Sequence, residues 1–441
     1  MQNRANTTDS KAPGTLSQWL PFWFGTALVF FLLASLFGVM MRYVFVWPLP
    51  GLHYKYILHA HSHLALMGWG FTVLSGLLIA TFIPKTRAVR GYKWVLGVHI
   101  LSGTGMLIFF PYQGYGAFSI AFSTLHLGAA YLFAYLFLKD VREQKLSTSG
   151  MLAAWAVRWM LISSLGLWAL GPLGIYLGKT HPIYLSSIQF FLHFQIHGWF
   201  VYAILALLLA QYQKMGRHYH PRPYTFLFLQ FSLVFTLALS LHWIHPHPGF
   251  VWINRLGVLM QAAAFWWYLA PLLAKWEGKQ TNSQGIIRIL WMTGLLSLTA
   301  KAFFQLLTQH PVVLELSFTI RNFFIGFVHL IMLGAVSASA LSLLLSGNYL
   351  PAKRTALFGY GIFLLAFWSS ECLLFAQGAL LWLERGFLPA YHETLFFASL
   401  LFPLSLIIIL LQMWGSHSHR NIPSSSSSSS IPINQTKQYN H

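Results

Sequence analysis

Three histidines fall within five residues at the start of an otherwise apolar stretch, HAHSHLALMGWGF, which begins at His59. Neutral imidazole is a common ligand of heme iron, copper and zinc. Ionisable side chains inside a membrane span cost free energy, and they are rarely found there without a function. On an α-helix His59 and His63 share one face, whereas His61 lies about 200° away from either. The stretch therefore predicts a metal or cofactor site in which His61 can face a different partner from His63.

A histidine followed five residues later by glycine occurs three times in similar surroundings. The motif begins HLALMG at His63, HFQIHG at His193 and HLIMLG at His329. A glycine at this spacing lets a flat macrocycle or a neighbouring helix approach closely. Because the three motifs are separated by four predicted helices each time, they indicate three sets of four helices, each with an inward-facing histidine.

The elements that must position these histidines are membrane spans. Of the 441 residues 56% are hydrophobic and only 8% are charged, which is typical of a polytopic membrane protein. A span needs about 20 apolar residues. The sequence therefore predicts an all-α membrane protein with twelve transmembrane helices in three pseudo-repeats of four, at 18–41, 56–83, 93–111, 118–138, 151–177, 186–212, 224–243, 251–274, 288–308, 319–346, 355–377 and 390–414.

Charge sets the orientation of these spans. Loops such as KTRAVRGYK and KDVREQK carry Lys and Arg on the side of the N-terminus, whereas PYQGYG and HPHPG on the other side are nearly uncharged. Positively charged loops stay in the cytoplasm, which predicts that both termini are cytoplasmic. We expect a cytoplasmic tail at 1–17, a membrane domain at 18–414 and a disordered cytoplasmic tail at 415–441. The net charge of +19 is then loop charge facing lipid, with no nucleic-acid partner.

Helical rise places the histidines at different depths. His242 and His245 lie at the outer surface, and His99 lies deeper toward the cytoplasm, where we interpret it as an isolated structural histidine. The remaining histidines within spans share one outer layer; they are His63, His126, His193, His197 and His329.

Taken with their motifs, these histidines resemble subunit I of the heme-copper oxidase superfamily, which includes the nitric oxide reductases. The resemblance covers all twelve spans, with motifs in spans 2, 6, 7 and 10. The early histidine of span 2 and the string FVHLIMLG in span 10 are similar to the two helices that hold the family's low-spin heme. The resemblance therefore implies a bis-histidine heme b held by His63 and His329, with His59 supporting His63.

The family's second metal centre is matched only in part. In span 6 the string HFQIHG resembles the reductase pattern His-x-x-x-Glu-Gly, and SLHWIHPHPG in span 7 stands where the family has adjacent histidines. The resemblance implies a copper, iron or zinc site at His193, His197, His242 and His245, the first three being candidate catalytic residues. Phe327 stands where the ligand of the family's second heme is expected. A second heme is therefore an open expectation, for which His61 could supply the missing ligand; the alternative is that His61 is an interfacial residue or supports a neighbouring ligand.

Several charged residues lie near the same outer layer. Heme propionates need cationic partners, for which Arg42, Arg321 and Arg385 are candidates. Lys301 and Glu371 lie inside spans, where they could pair with each other, bind a substrate or adjust a metal site.

The resemblance implies a heme-binding membrane oxidoreductase nearer to nitric oxide reductases than to proton-pumping oxidases, in a bacterial inner membrane. The tyrosine of the oxidases and a row of carboxylates on the cytoplasmic side are missing. Because the single cysteine, Cys372, excludes a C-x-x-C-H motif, a cytochrome c-containing subunit or a quinol would donate the electrons. Two alternatives stay open: a non-enzymatic heme- or copper-binding protein, like the NnrS-like proteins linked to nitric oxide stress, and a metal-handling transporter.

Overall fold

A computed structural model describes residues 15–85, 87, 90–143, 147–217, 219, 221–273 and 282–418. Within these residues twelve helices are long and apolar enough to cross a membrane, and no strand is formed. The predicted all-α class and the twelve spans are confirmed. The predicted tails lie outside the described residues except for 15–17 and 415–418, most of which extend the first and last helices.

The helices that match the predicted spans are labelled in chain order. They are α1 (Leu16–Tyr43), α2 (Tyr54–Phe82), α3 (Arg90–Gln113), α4 (Ala117–Arg142), α5 (Thr148–Tyr176), α6 (Pro182–Lys214), α7 (Pro223–Ile244), α8 (Pro248–Leu273), α9 (Asn282–Leu307), α10 (Arg321–Ser346), α11 (Arg354–Trp382) and α12 (Tyr391–Ser418). A short connecting helix, Pro311–Thr319, joins α9 to α10.

Three helices form the centre of the bundle. In α2, α6 and α10 between 78% and 83% of the most apolar window is buried, against 33% to 61% in the other spans. The three contact one another, and each also packs on the helix that precedes it in the chain. A helix that is apolar all round belongs in such a position. The histidine-glycine motifs thus lie on the three helices that the bundle encloses.

Each central helix changes from α-helical to π-helical geometry directly after its motif histidine. The π-helical segments are Leu64–Phe71, Phe194–Phe200 and Leu330–Ala338, and they begin one residue after His63, His193 and His329. Such segments are rare and are found mostly at functional sites. The three motifs therefore share a local backbone geometry as well as a residue pattern.

The motif glycines lie inside these π-helical segments and serve helix packing. A side chain at Gly68 would meet Phe30 of α1 at 3.1 Å, and one at Gly198 would meet the Cβ of Trp159 in α5 at 2.8 Å. A side chain at Gly334 would overlap Ser297 of α9. The sequence left open whether these glycines admit a flat macrocycle or a neighbouring helix. In the structure they make room for the preceding helix.

Candidate functional site

The three rings of HAHSH point to different neighbours. His61 Nδ1 lies 2.8 Å from the carbonyl oxygen of Ala34 in α1. Because a carbonyl can only accept, Nδ1 carries the proton and Nε2 keeps its lone pair. A side chain at Gly38 would come within 3.1 Å of the same ring, so glycine is needed there. His61 is thus held by α1 with one nitrogen available to a metal.

His63 and His59 lie on the other side of α2, toward α3. His63 Nδ1 donates to the His59 carbonyl at 2.9 Å, and its ring centroid lies 4.1 Å from that of Phe110. The His59 ring is 4.5 Å from Tyr115, in the turn between α3 and α4. Burial raises the pKa of Tyr115 to about 12, so the phenol next to these two histidines is neutral. The predicted support of His63 by His59 runs through the His59 backbone carbonyl.

His329 faces His61. His61 and Arg42 are both close enough to His329 to interact with it electrostatically, and Arg42 is in turn within reach of Arg321 and Tyr391. The resemblance implied His63 as the partner of His329. Of the HAHSH histidines, His61 is within electrostatic reach of His329 and His63 is within reach of His126, since residues two apart on a helix point in nearly opposite directions. The pairing of His63 with His329 stays a prediction.

These residues fit a bis-histidine heme. His61 and His329 are both half-buried, so neither ring is fully enclosed by other side chains. Two imidazoles on separate helices suit axial ligation, and guanidinium groups suit propionates. Arg42 is the arginine that approaches His329. Arg321 begins α10 with an exposed side chain, and Arg385 lies in the exposed turn after α11.

A cavity of about 340 Å³ lies on the opposite side of α10. It is enclosed by α6, α7, α9, α10, α11 and the connecting helix, and both His193 and His197 line it. Phe327 lines it as well, with its ring centroid 6.1 Å from that of His197. Phe327, which stands where the ligand of the family's second heme is expected, thus faces this cavity.

The polar edge of the cavity is built around the two histidines of α6. Their ring centroids are 5.1 Å apart, and His193 Nε2 donates to the carbonyl of Leu233 at 2.7 Å. His197 Nδ1 is buried and has no hydrogen-bond partner within the described part of the chain. Lys301 lies close enough to interact electrostatically with both histidines, and its Nζ donates to Gln305 Oε1 at 2.6 Å.

The structure does not gather the predicted four-histidine metal site. His245 is exposed after the end of α7, and His242 Nδ1 accepts from the backbone N–H of His247 at 3.2 Å. It is Trp243, between them, that lines the cavity with His193 and His197. Among the described residues no group of three or more His, Cys, Asp or Glu side chains could hold a metal ion.

Lys301 and Glu371 do not pair with each other. Arg87 forms ion pairs with Asp140 and Glu143, at the cytoplasmic ends of α2 and α4 predicted from loop charge. Lys301 is bonded to Gln305, and both carboxylate oxygens of Glu371 are buried with no hydrogen-bond partner in the described chain. Substrate binding and adjustment of a metal site, the other two roles predicted for Lys301 and Glu371, stay predictions.

The sequence interpretation of His99 as an isolated residue is wrong. His99 Nδ1 lies 3.1 Å from His126 Nδ1, so the two rings share one depth in the membrane. His99 and His126 lie on helices that follow one another in the chain and run antiparallel, and this was the signal in the sequence that could have found the pair.

The proton positions of this pair follow from its neighbours. Thr72 Oγ1 donates to the carbonyl of Gly68 and lies 2.6 Å from His99 Nε2. The hydroxyl must therefore accept from His99 Nε2–H, which leaves His99 Nδ1 as the acceptor for His126 Nδ1–H. The chain of hydrogen bonds has a single direction and ends at the motif glycine Gly68.

Comparison with protein-family models and with curated proteins found no match for this chain.

Proposed function

We propose that this protein is a heme-binding integral membrane oxidoreductase whose low-spin heme b is held by His61 and His329. The observation that carries the proposal is that His61, bonded to the carbonyl of Ala34, and Arg42 both lie within electrostatic reach of His329. A bis-imidazole heme supplies one-electron transfer. Arg42 would bind a propionate and fix the orientation of the group.

Helix α10 lies between the proposed heme site and the cavity. On α10, His329 is within electrostatic reach of His61, whereas Phe327 and Val328 line the cavity. Because a helix is only about 10 Å across, a heme held by His61 and His329 would lie close to a substrate in the cavity. His193 and His197 would bind the substrate at the polar edge. The resemblance favours nitric oxide as the substrate and a cytochrome c subunit or a quinol as the donor, in a bacterial inner membrane.

Optical spectroscopy of the purified protein, before and after dithionite, tests the heme and its ligands. We expect reduced low-spin bands in the wild type and their loss in His61→Ala and in His329→Ala. His63→Ala is the matched control, since His63 lies in the same HAHSH stretch but packs on Phe110. Absence of heme from the folded wild-type protein would refute the proposal. Loss of the bands in His63→Ala with retention in His61→Ala would restore the pairing implied by the resemblance.

A second candidate is a non-enzymatic heme-binding protein, and the specific observation that favours it is Phe327. A phenyl ring cannot ligate iron, and this one occupies the cavity face of α10. Carbon monoxide added to the reduced protein separates the two candidates. A low-spin heme that does not react, together with no turnover of nitric oxide under a supply of electrons, would support the second candidate.

A further inference from the structure

We propose that His59, His63 and Tyr115 form a mononuclear copper(II) site at the end of the bundle where α2 begins and α3 turns into α4. The site is separate from the proposed heme ligands, His61 and His329, and from the cavity. It goes beyond the proposed function and does not depend on it.

The two histidines are set on one face of α2. Both lie in its α-helical part, Tyr54–His63, before the π-helical segment starts at Leu64. Because residues four apart on an α-helix lie above one another, the imidazoles of His59 and His63 can reach the same metal ion. Both side chains are half-buried, so they are in part accessible from outside the bundle.

The ring nitrogens of both histidines are available to a metal. His63 Nδ1 donates to the carbonyl of His59 at 2.9 Å, which leaves the lone pair on His63 Nε2. Histidines that ligate metals commonly donate their other ring N–H to a carbonyl in this way, which fixes the ring. Neither ring nitrogen of His59 has a hydrogen-bond partner within the described residues.

The turn between α3 and α4 brings Tyr115 to the two histidines. The Tyr115 ring centroid lies 4.5 Å from that of His59 and 5.6 Å from that of His63. Gly114 has a φ of 57°, and a side chain there would meet the ring of Tyr56 at 2.5 Å, so the turn requires glycine. Tyr115 is 55% exposed, and its phenol oxygen has no hydrogen-bond partner in the part of the chain that the structure describes. That oxygen is therefore available as a third ligand.

Two imidazole nitrogens and a phenol oxygen favour copper(II). Nitrogen and oxygen ligands in a tetragonal arrangement are typical of copper(II), which binds such ligands more tightly than the other divalent first-row metals. On binding, the phenol O–H bond breaks, an O–Cu bond forms and the proton leaves to water, with no change in oxidation state. The phenolate offsets part of the charge of the ion, whereas Lys55, one turn before His59, opposes it.

Titration of the full-length protein in lipid nanodiscs with copper(II) sulfate tests the proposal. Electron paramagnetic resonance should show hyperfine splitting from two imidazole nitrogens. Visible difference spectra, in which heme bands cancel, should show a phenolate-to-copper charge-transfer band that distinguishes this site from copper bound at exposed histidines elsewhere. His59→Ala and His63→Ala should each weaken the binding that produces this band at least about tenfold, as loss of even a hydrogen-bond partner of a metal ligand commonly does. Tyr115→Phe should abolish the band.

Two matched controls lie beside the site. Tyr112→Phe changes an 82% exposed tyrosine at the end of α3 and should keep the band. His61→Ala changes the HAHSH histidine that is bonded to Ala34 and should bind copper like the wild type, with or without heme. Circular dichroism and size-exclusion chromatography verify that each variant is folded, and Tyr115→Phe removes only one oxygen atom.

Several outcomes would overturn the proposal. Copper binding without a charge-transfer band, or with a band of equal affinity in His59→Ala and His63→Ala, would refute the site. A band that persists in Tyr115→Phe would exclude Tyr115 as a ligand. Zinc(II) bound at these residues that copper(II) does not displace would refute the choice of metal.

Discussion

At the scale of single residues, the direction in which a side chain points decides its neighbours more than its position in the sequence does. His61 and His63 are two residues apart, yet one is bonded to α1 near His329 and the other packs on Phe110 of α3. Their order along the chain is plain from the sequence. Which ring is near which neighbour depended on the packing around α2.

The hydrogen-bonded pair His99–His126 yields a prediction at this scale. Nitrogen NMR of protein labelled on histidine should show His99 protonated at Nε2 and His126 at Nδ1, because Thr72 already donates to Gly68. Thr72→Val should release this constraint and change the tautomer signal of His99. His181→Gln, in an exposed turn, should leave both signals unchanged. A spectrum with His99 protonated only at Nδ1 would contradict the assignment.

At the scale of elements, the three central helices share one local arrangement. In each, a histidine is followed directly by a π-helical segment, and a glycine within that segment packs against the preceding helix. The sequence indicated that the glycines allow a close approach but not what approaches. Only the packing showed that Phe30, Trp159 and Ser297 fill those positions. The change to π-helical geometry has no signature that we recognise in the sequence.

Substitution of a motif glycine tests whether these glycines are needed for close helix packing. Gly198→Leu should destabilise the protein by about 1–3 kcal/mol and lower its Tm, because the new side chain would meet Trp159 in a packed interface. Gly128→Leu is the control, since its position on α4 is exposed and a side chain there would meet nothing within 4 Å. Thermal unfolding in detergent measures both. An equal Tm for the two variants would argue against close packing at Gly198.

At the scale of the whole molecule, the orientation in the membrane is a prediction from loop charge. In a Cys372→Ser background, Ser147→Cys and His181→Cys place single thiols in turns at opposite ends of α5. With cytoplasmic termini, a membrane-impermeant maleimide should label the thiol at position 181 in intact cells and the thiol at position 147 only after lysis. The reverse labelling would invert the orientation.

The sequence by itself determined the twelve spans and the histidines that lie within them, because hydropathy and helical rise act along the chain. It also located the residues that line the cavity's polar edge, His193 and His197, and the departure at Phe327. Only the tertiary structure decided that His61 is within electrostatic reach of His329, that Trp243 rather than His242 reaches the cavity, and that His99 bonds to His126. The physical reason is that contacts between helices depend on the rotation and the relative height of each helix, and these are set by how the helices pack against one another.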